Sequence, residues 1–179
     1  MVSKDGRGPA HHPVQTPSVT VDGVIKESFP YVDYEHGTLT EVFRTEWAGG
    51  VFGSDEPINH LYTVFAPSGG TRKEWYFHQD TLDRFIVLQG SLDVGLYDGR
   101  EHSATFGKFE VVSLEGLGSG NPSGLRIPPG VWHSLSWASP SGFFLNAKTP
   151  PFNRETIDKY RVPPEELPEI ISWNEDSSG

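Results

Sequence analysis

The sequence contains no cysteine and few positive charges, and these two shortages exclude several kinds of protein. Without cysteine the chain forms no disulfides, holds no metal through thiolates and performs no thiol chemistry. Lys and Arg number 14 against 24 Asp and Glu, which gives a formal charge of −10. A chain this acidic has no general attraction for nucleic acid or for an anionic membrane surface. We therefore expect a small-molecule partner, with no nucleic acid and no membrane.

Long apolar runs are also missing. No stretch approaches the roughly 20 residues that a membrane-spanning helix needs. The first residues lack the apolar segment of a secretory signal, so we expect a cytoplasmic protein. The length of 179 residues and the hydrophobic content of 35% fit one domain with an ordinary core.

The ends of the chain differ in composition from its middle. Residues 1–22 are rich in glycine, proline and polar groups, which predicts a flexible N-terminal arm. We place a single domain at residues 23–174 and a short C-terminal tail at residues 175–179. The segment from Asn153 to Tyr160 has helical potential, with Asn153 as its N-cap, before several prolines interrupt it.

The middle of the chain has the pattern of an all-β protein. Short aromatic and β-branched runs alternate with turn clusters such as "APSGG", "LQGS" and "YDGREHS". In "SLDVGLYDG", Leu92, Val94 and Leu96 alternate with other residues, which is typical of a half-buried strand. We predict that the turn at Gly90 joins this strand to "RFIVL" in a hairpin.

Two stretches have the spacing of known motifs. In "GTRKEWYFHQDTLDRFIVLQG" the spacing resembles the first cupin motif, carried by Gly70, Tyr76, His78, Asp83 and Gly90. In "IPPGVWHSLSW" it resembles the second cupin motif, carried by Pro128, Gly130, His133 and Trp137. The two motifs in this order imply a single-domain cupin, a double-stranded β-helix or jelly roll.

Strand geometry predicts which of these side chains meet. Residues two apart on a strand share a face, so Glu74, Tyr76 and His78 point together while Trp75 and Phe77 point the opposite way. His133 shares a face with Leu135 and Trp137 in the same manner. A closed barrel could therefore bring His78 and His133 together.

Two imidazoles and a carboxylate raise the question of a metal. Fe, Mn, Ni or Zn could bind His78, His133 and Asp83, with Tyr76 as a further ligand, because imidazole and carboxylate suit such ions. The motif nevertheless lacks one histidine and has aspartate where glutamate is usual. We therefore expect no cofactor, and keep a divalent transition metal as the alternative.

Several stretches together resemble one family more closely, the dTDP-4-dehydrorhamnose 3,5-epimerases, over about residues 24–174. They are "HGTLTEVFRTEW", "GGTRKEWYFH", "LQGSLDVGLYDGREHSATFG", "IPPGVWHSLSW" and "IISWN". The resemblance implies a metal-free cupin that acts on a nucleotide-linked 4-keto-6-deoxy sugar. In that family a histidine held by an acidic partner removes a proton beside the ketone, a tyrosine serves as acid and a lysine lies nearby.

The resemblance assigns positions residue by residue. The family's basic histidine falls on Tyr76, the neighbouring inward position on His78, and the lysine near Asp83 or Arg84. The catalytic tyrosine falls on Asn146. His133 matches the second-motif histidine, Arg72 resembles the arginine before the base, and the acidic partner falls near Glu165 or Glu166.

These replacements shift the predicted roles. A tyrosine is a poor base at neutral pH but can act as an acid or hydrogen-bond donor, so Tyr76 does not inherit the histidine's role. His78 can serve as base, with Glu74 or Asp83 orienting it. The alternative is a barrel histidine bonded to a neighbour. The candidate catalytic residues are His78, His133, Tyr76, Glu74 and Asp83.

Other side chains are candidates for binding the substrate. Arg72 and Lys73 could meet a diphosphate, because guanidinium and ammonium groups bind phosphate oxygens. Trp132, Trp137 and Phe152 could stack on a base or a sugar, although core or dimer packing is the alternative. Asn146, at the family's tyrosine position, completes this group.

We expect an isomerase of the sugar-nucleotide epimerase type, acting by proton transfer on a nucleotide-linked 4-keto-6-deoxy sugar or a related small carbonyl compound. Trp75 and Phe77, facing away from the pocket, favour a homodimer. Three alternatives stay open: a metal-dependent cupin oxygenase, isomerase or lyase, a non-catalytic binding cupin, and a barrel redeployed in specialised metabolism.

Overall fold

The computed structural model describes residues 18–43, 50–52, 56–71, 74–150 and 153–162. Within these ranges the chain forms strands and no helix, so no helix there could cross a bilayer. The strands are β1 Ile25–Ser28, β2 Tyr31–Tyr34, β3 Gly37–Thr40, β4 His60–Ala66, β5 Gly70–Thr71, β6 Trp75–Phe77, β7 Asp83–Gln89, β8 Ser91–Asp98, β9 Phe109–Glu115, β10 Ser123–Ile127, β11 Val131–Trp137, β12 Gly142–Lys148 and β13 Tyr160–Val162. The all-β prediction is confirmed.

The strands form two main antiparallel sheets that share a core. One sheet has the order β1-β10-β7-β12-β4, and the other has the order β13-β6-β11-β8-β9 with β5 beside β11. Strands β2 and β3 form a separate hairpin. Side chains from both sheets, such as Phe85 and Phe144 from one and Leu92 and Leu135 from the other, pack in one cluster. Two sheets closed over a common core are the architecture of a jelly roll.

The alternation in β8 is confirmed, because Leu92, Val94 and Leu96 are fully buried. The predicted hairpin at Gly90 is wrong. Strand β7 pairs with β10 and β12, whereas β8 pairs with β9 and β11. Gly90 adopts a φ of 84°, and a Cβ there would lie 2.3 Å from the Ser139 hydroxyl oxygen. The turn therefore carries the chain from one sheet to the other instead of returning it alongside itself.

The predicted helix between Asn153 and Tyr160 is also wrong. This segment consists of bends and loop that end at β13. The Asn153 side-chain oxygen accepts a hydrogen bond from the Glu155 backbone N–H at 2.9 Å, which forms a local turn. Asparagine favours such turns as readily as helix caps, so the residue alone did not decide between them.

The described end of the predicted N-terminal arm, residues 18–22, lies against the sheet that contains β9. Glu110 accepts hydrogen bonds from the backbone N–H groups of Thr20 and Val21 at 2.9 and 2.8 Å. The Val21 side chain is buried in the core cluster. Residues 1–17 and 163–179 lie outside the described ranges, so the predicted domain boundaries stay predictions.

Candidate active site

His78 and His133 lie side by side, as the strand pattern predicts. His78 follows β6 directly, and β6 pairs with β11 so that Tyr76 is opposite His133. The centroids of the two imidazole rings are 5.7 Å apart. Asp83, the first residue of β7, places its Oδ2 atom 3.3 Å from His78 Nε2 and 3.8 Å from His133 Nε2. All three side chains are buried.

Two residues of β12 hold the Asp83 carboxylate from the other side. Asn146 Nδ2 donates a hydrogen bond to Asp83 Oδ1 at 2.7 Å, and Lys148 Nζ lies 3.1 Å from the same oxygen. Burial alone would raise the pKa of Asp83. The neighbouring His133, Lys148 and His78 and the amide hydrogen bond outweigh burial, so the pKa lies below its ordinary value. Asp83 is therefore a carboxylate at neutral pH.

The orientation of the His78 ring follows from its neighbours. Its Nδ1 atom is hydrogen-bonded to the backbone carbonyl of Asp158, which can only accept, so Nδ1 carries the proton. The other ring nitrogen, Nε2, lies 3.1 Å from Lys148 Nζ and 3.3 Å from Asp83 Oδ2. The imidazole is therefore held with Nε2 towards Lys148 and Asp83.

Asp158 is fixed by its own carboxylate. Its two oxygens accept hydrogen bonds from the backbone N–H groups of Gln79 and Asp80 at 2.7 and 3.0 Å, and from the Thr81 hydroxyl at 2.7 Å. Burial opposes ionisation of this carboxyl, but these bonds lower its pKa. These bonds attach the segment before β13 to the turn between β6 and β7. They also hold the Asp158 carbonyl group next to His78 Nδ1.

His133 is neutral at physiological pH. Burial lowers its pKa to about 4, and the charge of Asp83 reverses only part of that shift. Its Nδ1 atom faces the Val131 carbonyl oxygen at 3.3 Å, which leaves the Nε2 lone pair on the side of Asp83. Phe85 contacts the ring edge-on from the core, with centroids 5.9 Å apart.

A cleft of about 970 Å³ opens onto part of this cluster. Its lining includes His60, Tyr62, His78, Lys148, Lys159 and Tyr160, whereas Asp83, Asn146 and His133 stand behind that lining. A ligand in the cleft would therefore meet His78 and Lys148 directly. The volume is within the range of about 300–1,000 Å³ that is usual for small-molecule sites.

Lys148 and Tyr62 are two of the residues that the sequence did not point to. Lys148 is two positions beyond Asn146 on β12, so a period of two would have placed both on one face. Tyr62 lies opposite Asn146 across the β4–β12 pair, and its hydroxyl accepts a hydrogen bond from Asn146 Nδ2 at 2.9 Å. Burial raises the pKa of Tyr62, so it is a protonated phenol at neutral pH.

Tyr76 and Glu74 lie beside the site but outside the cleft lining. The Tyr76 hydroxyl donates to the Glu74 carboxylate, and Lys159 Nζ lies 4.2 Å from the centroid of the Tyr76 ring. Glu74 is exposed and also pairs with Arg161 at 3.5 Å. Among the described residues, polar groups of Asp158, Asp83 and Lys148 contact the His78 imidazole. The predicted catalytic roles of Tyr76 and Glu74 stay predictions.

The tryptophans predicted to bind substrate have other neighbours. Trp132 stacks on Phe77 with centroids 4.8 Å apart, and Trp137 packs against Phe144 at 6.1 Å. Neither tryptophan lines the cleft. Arg84, near the family's lysine position, is buried and donates a hydrogen bond to the Glu56 carbonyl at 2.8 Å.

Five of the predicted residues belong to other parts of the chain. These are Arg72, Lys73, Phe152, Glu165 and Glu166, which all lie outside the described residues. Their predicted roles stay predictions.

His78, Asp83 and His133 were also the alternative metal ligands. Within the described ranges they form the cluster whose ligand atoms lie within 4.8 Å of one another. Two imidazoles and a carboxylate are donors of the right kind for a transition metal. The position of Lys148 does not fit a metal site, because its ammonium group already lies 3.1 Å from His78 Nε2 and from Asp83 Oδ1.

Comparison with curated proteins places the chain near glycan epimerases. No family model matches it. The chain is 28% identical over 147 residues to the probable low-salt glycan biosynthesis epimerase Agl13 of Haloferax volcanii. This match covers 81% of the chain and 89% of Agl13.

Solved structures share the fold. The dTDP sugar isomerase of Desulfovibrio desulfuricans G20 superposes with a TM-score of 0.69 at 23% identity, covering 86% of this chain and 92% of that one. A second structure is that of the dTDP-6-deoxy-D-glucose-3,5-epimerase RmlC of Legionella pneumophila in complex with dTDP-4-keto-L-rhamnose. It superposes with a TM-score of 0.70 at 20% identity, covering 84% of this chain and 78% of that one. The chain therefore shares the jelly-roll fold of these two solved structures, and the predicted cupin architecture is confirmed.

Proposed function

We propose that the protein is an isomerase that epimerises a nucleotide-linked 4-keto-6-deoxy sugar, or a related small carbonyl compound, in carbohydrate biosynthesis. The observation that carries the proposal is the pairing of an imidazole, His78, with an ammonium group, Lys148, in the wall of one cleft. Epimerisation beside a ketone needs a base for the carbon acid and a cation or donor for the enolate oxygen. The named activities of the curated relative and of the superposed structures are of the same type.

His78 is the base in this proposal. Its Nε2 lone pair takes the proton from the carbon beside the ketone, and the imidazolium that forms is stabilised on both sides. Asp83 Oδ2 lies 3.3 Å from Nε2, and the Asp158 carbonyl accepts the Nδ1 proton. A general base of this kind contributes a rate factor on the order of 10²–10⁴.

Lys148 stabilises the enolate. In the structure its ammonium group donates to His78 Nε2 and contacts Asp83. When the ketone enters, its oxygen replaces His78 as the acceptor and frees the imidazole lone pair for the proton. The negative charge that develops on this oxygen is then met by a preorganised cation that is only 14% exposed.

Tyr62 is the proposed acid that returns a proton to the opposite face of the carbon. It is a phenol that lines the cleft, and Asn146 orients its oxygen. Tyr76 is less suited to this role because its hydroxyl is bonded to Glu74 outside the cleft lining. The family's tyrosine position is occupied by Asn146, so the acid comes from the neighbouring strand β4.

The experiment is proton exchange with solvent. A dTDP-linked 4-keto-6-deoxyglucose is incubated with the protein in deuterated water and followed by nuclear magnetic resonance. We expect deuterium at the carbons beside the ketone and the appearance of an inverted product. Binding of the sugar nucleotide with neither exchange nor inversion would favour the non-catalytic binding cupin instead.

Two further properties belong to this proposal. We expect a homodimer, supported by Leu61 and Phe65, which are 57% and 64% exposed on the edge strand β4. Trp75 is fully buried within the chain and needs no partner for that burial. Sedimentation over a range of concentrations tests the dimer. The cytoplasmic location stays a prediction, to be checked by cell fractionation.

A further inference from the structure

Three hydrogen-bond acceptors converge at the wall of the cleft. They are the Nε2 atoms of His78 and His133 and the carboxylate of Asp83, all buried and within 4.8 Å of one another. Each is oriented by a contact at its far side. His78 Nδ1 is bonded to the Asp158 carbonyl, His133 Nδ1 faces the Val131 carbonyl at 3.3 Å, and Asp83 Oδ1 accepts from Asn146.

This is the arrangement that proteins use around a metal ion. Metal-binding histidines present one ring nitrogen to the ion, while the other donates to a carbonyl or a carboxylate that fixes the ring. Two imidazoles and one carboxylate, with the remaining positions left for water, suit divalent transition metals such as Zn²⁺ or Co²⁺. The set therefore has the correct donors, orientation and burial for a cation.

The cation that the structure places there is an ammonium group. Lys148 Nζ lies 3.1 Å from both His78 Nε2 and Asp83 Oδ1. Its hydrogens take up the lone pair of His78 and one carboxylate oxygen, both of which a metal would need as ligands. Its charge also repels a divalent ion at close range in a buried site.

We propose that Lys148 substitutes for a metal ion in a latent two-histidine, one-carboxylate site, and that removal of its ammonium group converts the protein into one that binds a divalent transition metal. Occupation of this triad by Lys148 does not depend on the sugar substrate or on epimerase activity.

Metal titration of the full chain tests the proposal. Wild-type protein and Lys148→Ala, both freed of metal with a chelator, are titrated with Zn²⁺ by calorimetry and with Co²⁺ by visible absorption. We expect Lys148→Ala to bind one ion roughly 100-fold more tightly than the wild type, with Co²⁺ bands that report imidazole and carboxylate coordination. The double variant Lys148→Ala/His133→Gln should lose this binding.

Control variants test whether metal binding requires removal of the Lys148 charge in particular, or of any positive charge in the cleft. Lys159→Ala deletes a lysine of the same cleft outside the triad and should bind metal as weakly as the wild type. Lys148→Leu, which lacks the charge but keeps an aliphatic stem, provides the same measurement should Lys148→Ala fail to fold. Equal affinity of the wild type and the folded Lys148 variant, whether both tight or both weak, would overturn the proposal.

Discussion

Two buried aspartates, Asp83 at the start of β7 and Asp98 at the end of β8, have opposite kinds of surroundings. Asp98 accepts hydrogen bonds from Arg100, Ser103 and Thr105, all within seven residues of it along the chain. Asp83 is contacted by side chains from β11 and β12 and by the histidine after β6. One carboxylate closes a local turn, whereas the other joins distant strands behind a cleft.

The comparison shows that a lowered pKa does not by itself mark a functional group. In both cases burial opposes ionisation and the neighbours outweigh it. Asp98 is surrounded by a guanidinium and two hydroxyls that do not titrate near neutral pH. Asp83 is surrounded by two imidazoles and an ammonium group, of which His78 and Lys148 reach the cleft. Only the second arrangement can move a proton to a ligand.

The largest effect that we expect is a loss of catalytic activity in the region around Asp83. His78→Ala should lower kcat/KM for the keto sugar about 1000-fold, because it removes the base. Circular dichroism and thermal unfolding should stay close to those of the wild type. His36→Ala, which removes a histidine side chain that is 87% exposed, is the matched control and should leave the rate unchanged. An unaltered rate in His78→Ala would eliminate the proposed base.

The next effect concerns stability at Asp98. Asp98→Asn should lower the free energy of unfolding by about 3 kcal/mol at pH 7, because it breaks a buried carboxylate–Arg100 pair. Urea unfolding measures this loss. The kcat/KM of the folded fraction should be unchanged, and a loss of activity beyond the unfolded fraction would contradict the division between the two regions.

The same variant has a defined pH dependence. The bonds from Arg100, Ser103 and Thr105 lower the pKa of Asp98 in the folded state, against the effect of burial. The stabilisation is therefore complete above the unfolded value of about 4 and is lost as the pH falls towards the folded pKa. The difference in unfolding free energy between wild type and Asp98→Asn should shrink between pH 5 and pH 2, the range set by that lowered pKa. A difference that grew on acidification would contradict this cause.

A smaller effect is expected for Asp158, which contacts the site through its backbone. Asp158→Ala removes the three bonds to the turn at residues 79–81 and should lower kcat about tenfold with little change in KM. Asp158→Asn, which keeps one acceptor, should restore part of the loss. Glu155→Ala, in the same segment, serves as the control. Steady-state kinetics that showed a change in KM alone would contradict a positioning role.

The smallest expected effect is at Ser103. Ser103→Ala deletes one hydroxyl donor to Asp98, found at 2.5 Å, and should cost about 1 kcal/mol of unfolding free energy. Chemical denaturation measures the cost, and kinetics should show no change. A loss much above that of Asp98→Asn would mean that Ser103 stabilises something other than this carboxylate.

Much of the fold could be predicted from the sequence. Alternation in β8 and the turn-rich composition identified an all-β chain, and the spacing of His78, Asp83 and His133 identified the pair of motifs. The errors came where one local pattern suits two structures. Gly90 suits a hairpin as well as a crossing between sheets, and Asn153 suits a helix cap as well as a turn.

The candidate site was only half predicted, for a physical reason. His78, His133 and Asp83 stand at spacings that a strand pattern can identify. No sequence motif marks Lys148 or Tyr62, because their position near His78 depends on the pairing of β12 with β4 and β7. Asp158 was harder still to predict, since it bonds to His78 through its backbone carbonyl, a group that every residue has.

By itself, the sequence determined the negative net charge, the strand periodicity and the two motifs that contain His78 and His133. These depend on composition or on residues a few positions apart. Only the tertiary structure decided that Lys148 neutralises the buried Asp83 and meets His78, that Tyr62 joins them, and that Asp158 fixes the proton on His78. Those contacts join residues from separate strands, and sequence periodicity specifies which face a side chain takes but not which strand lies opposite.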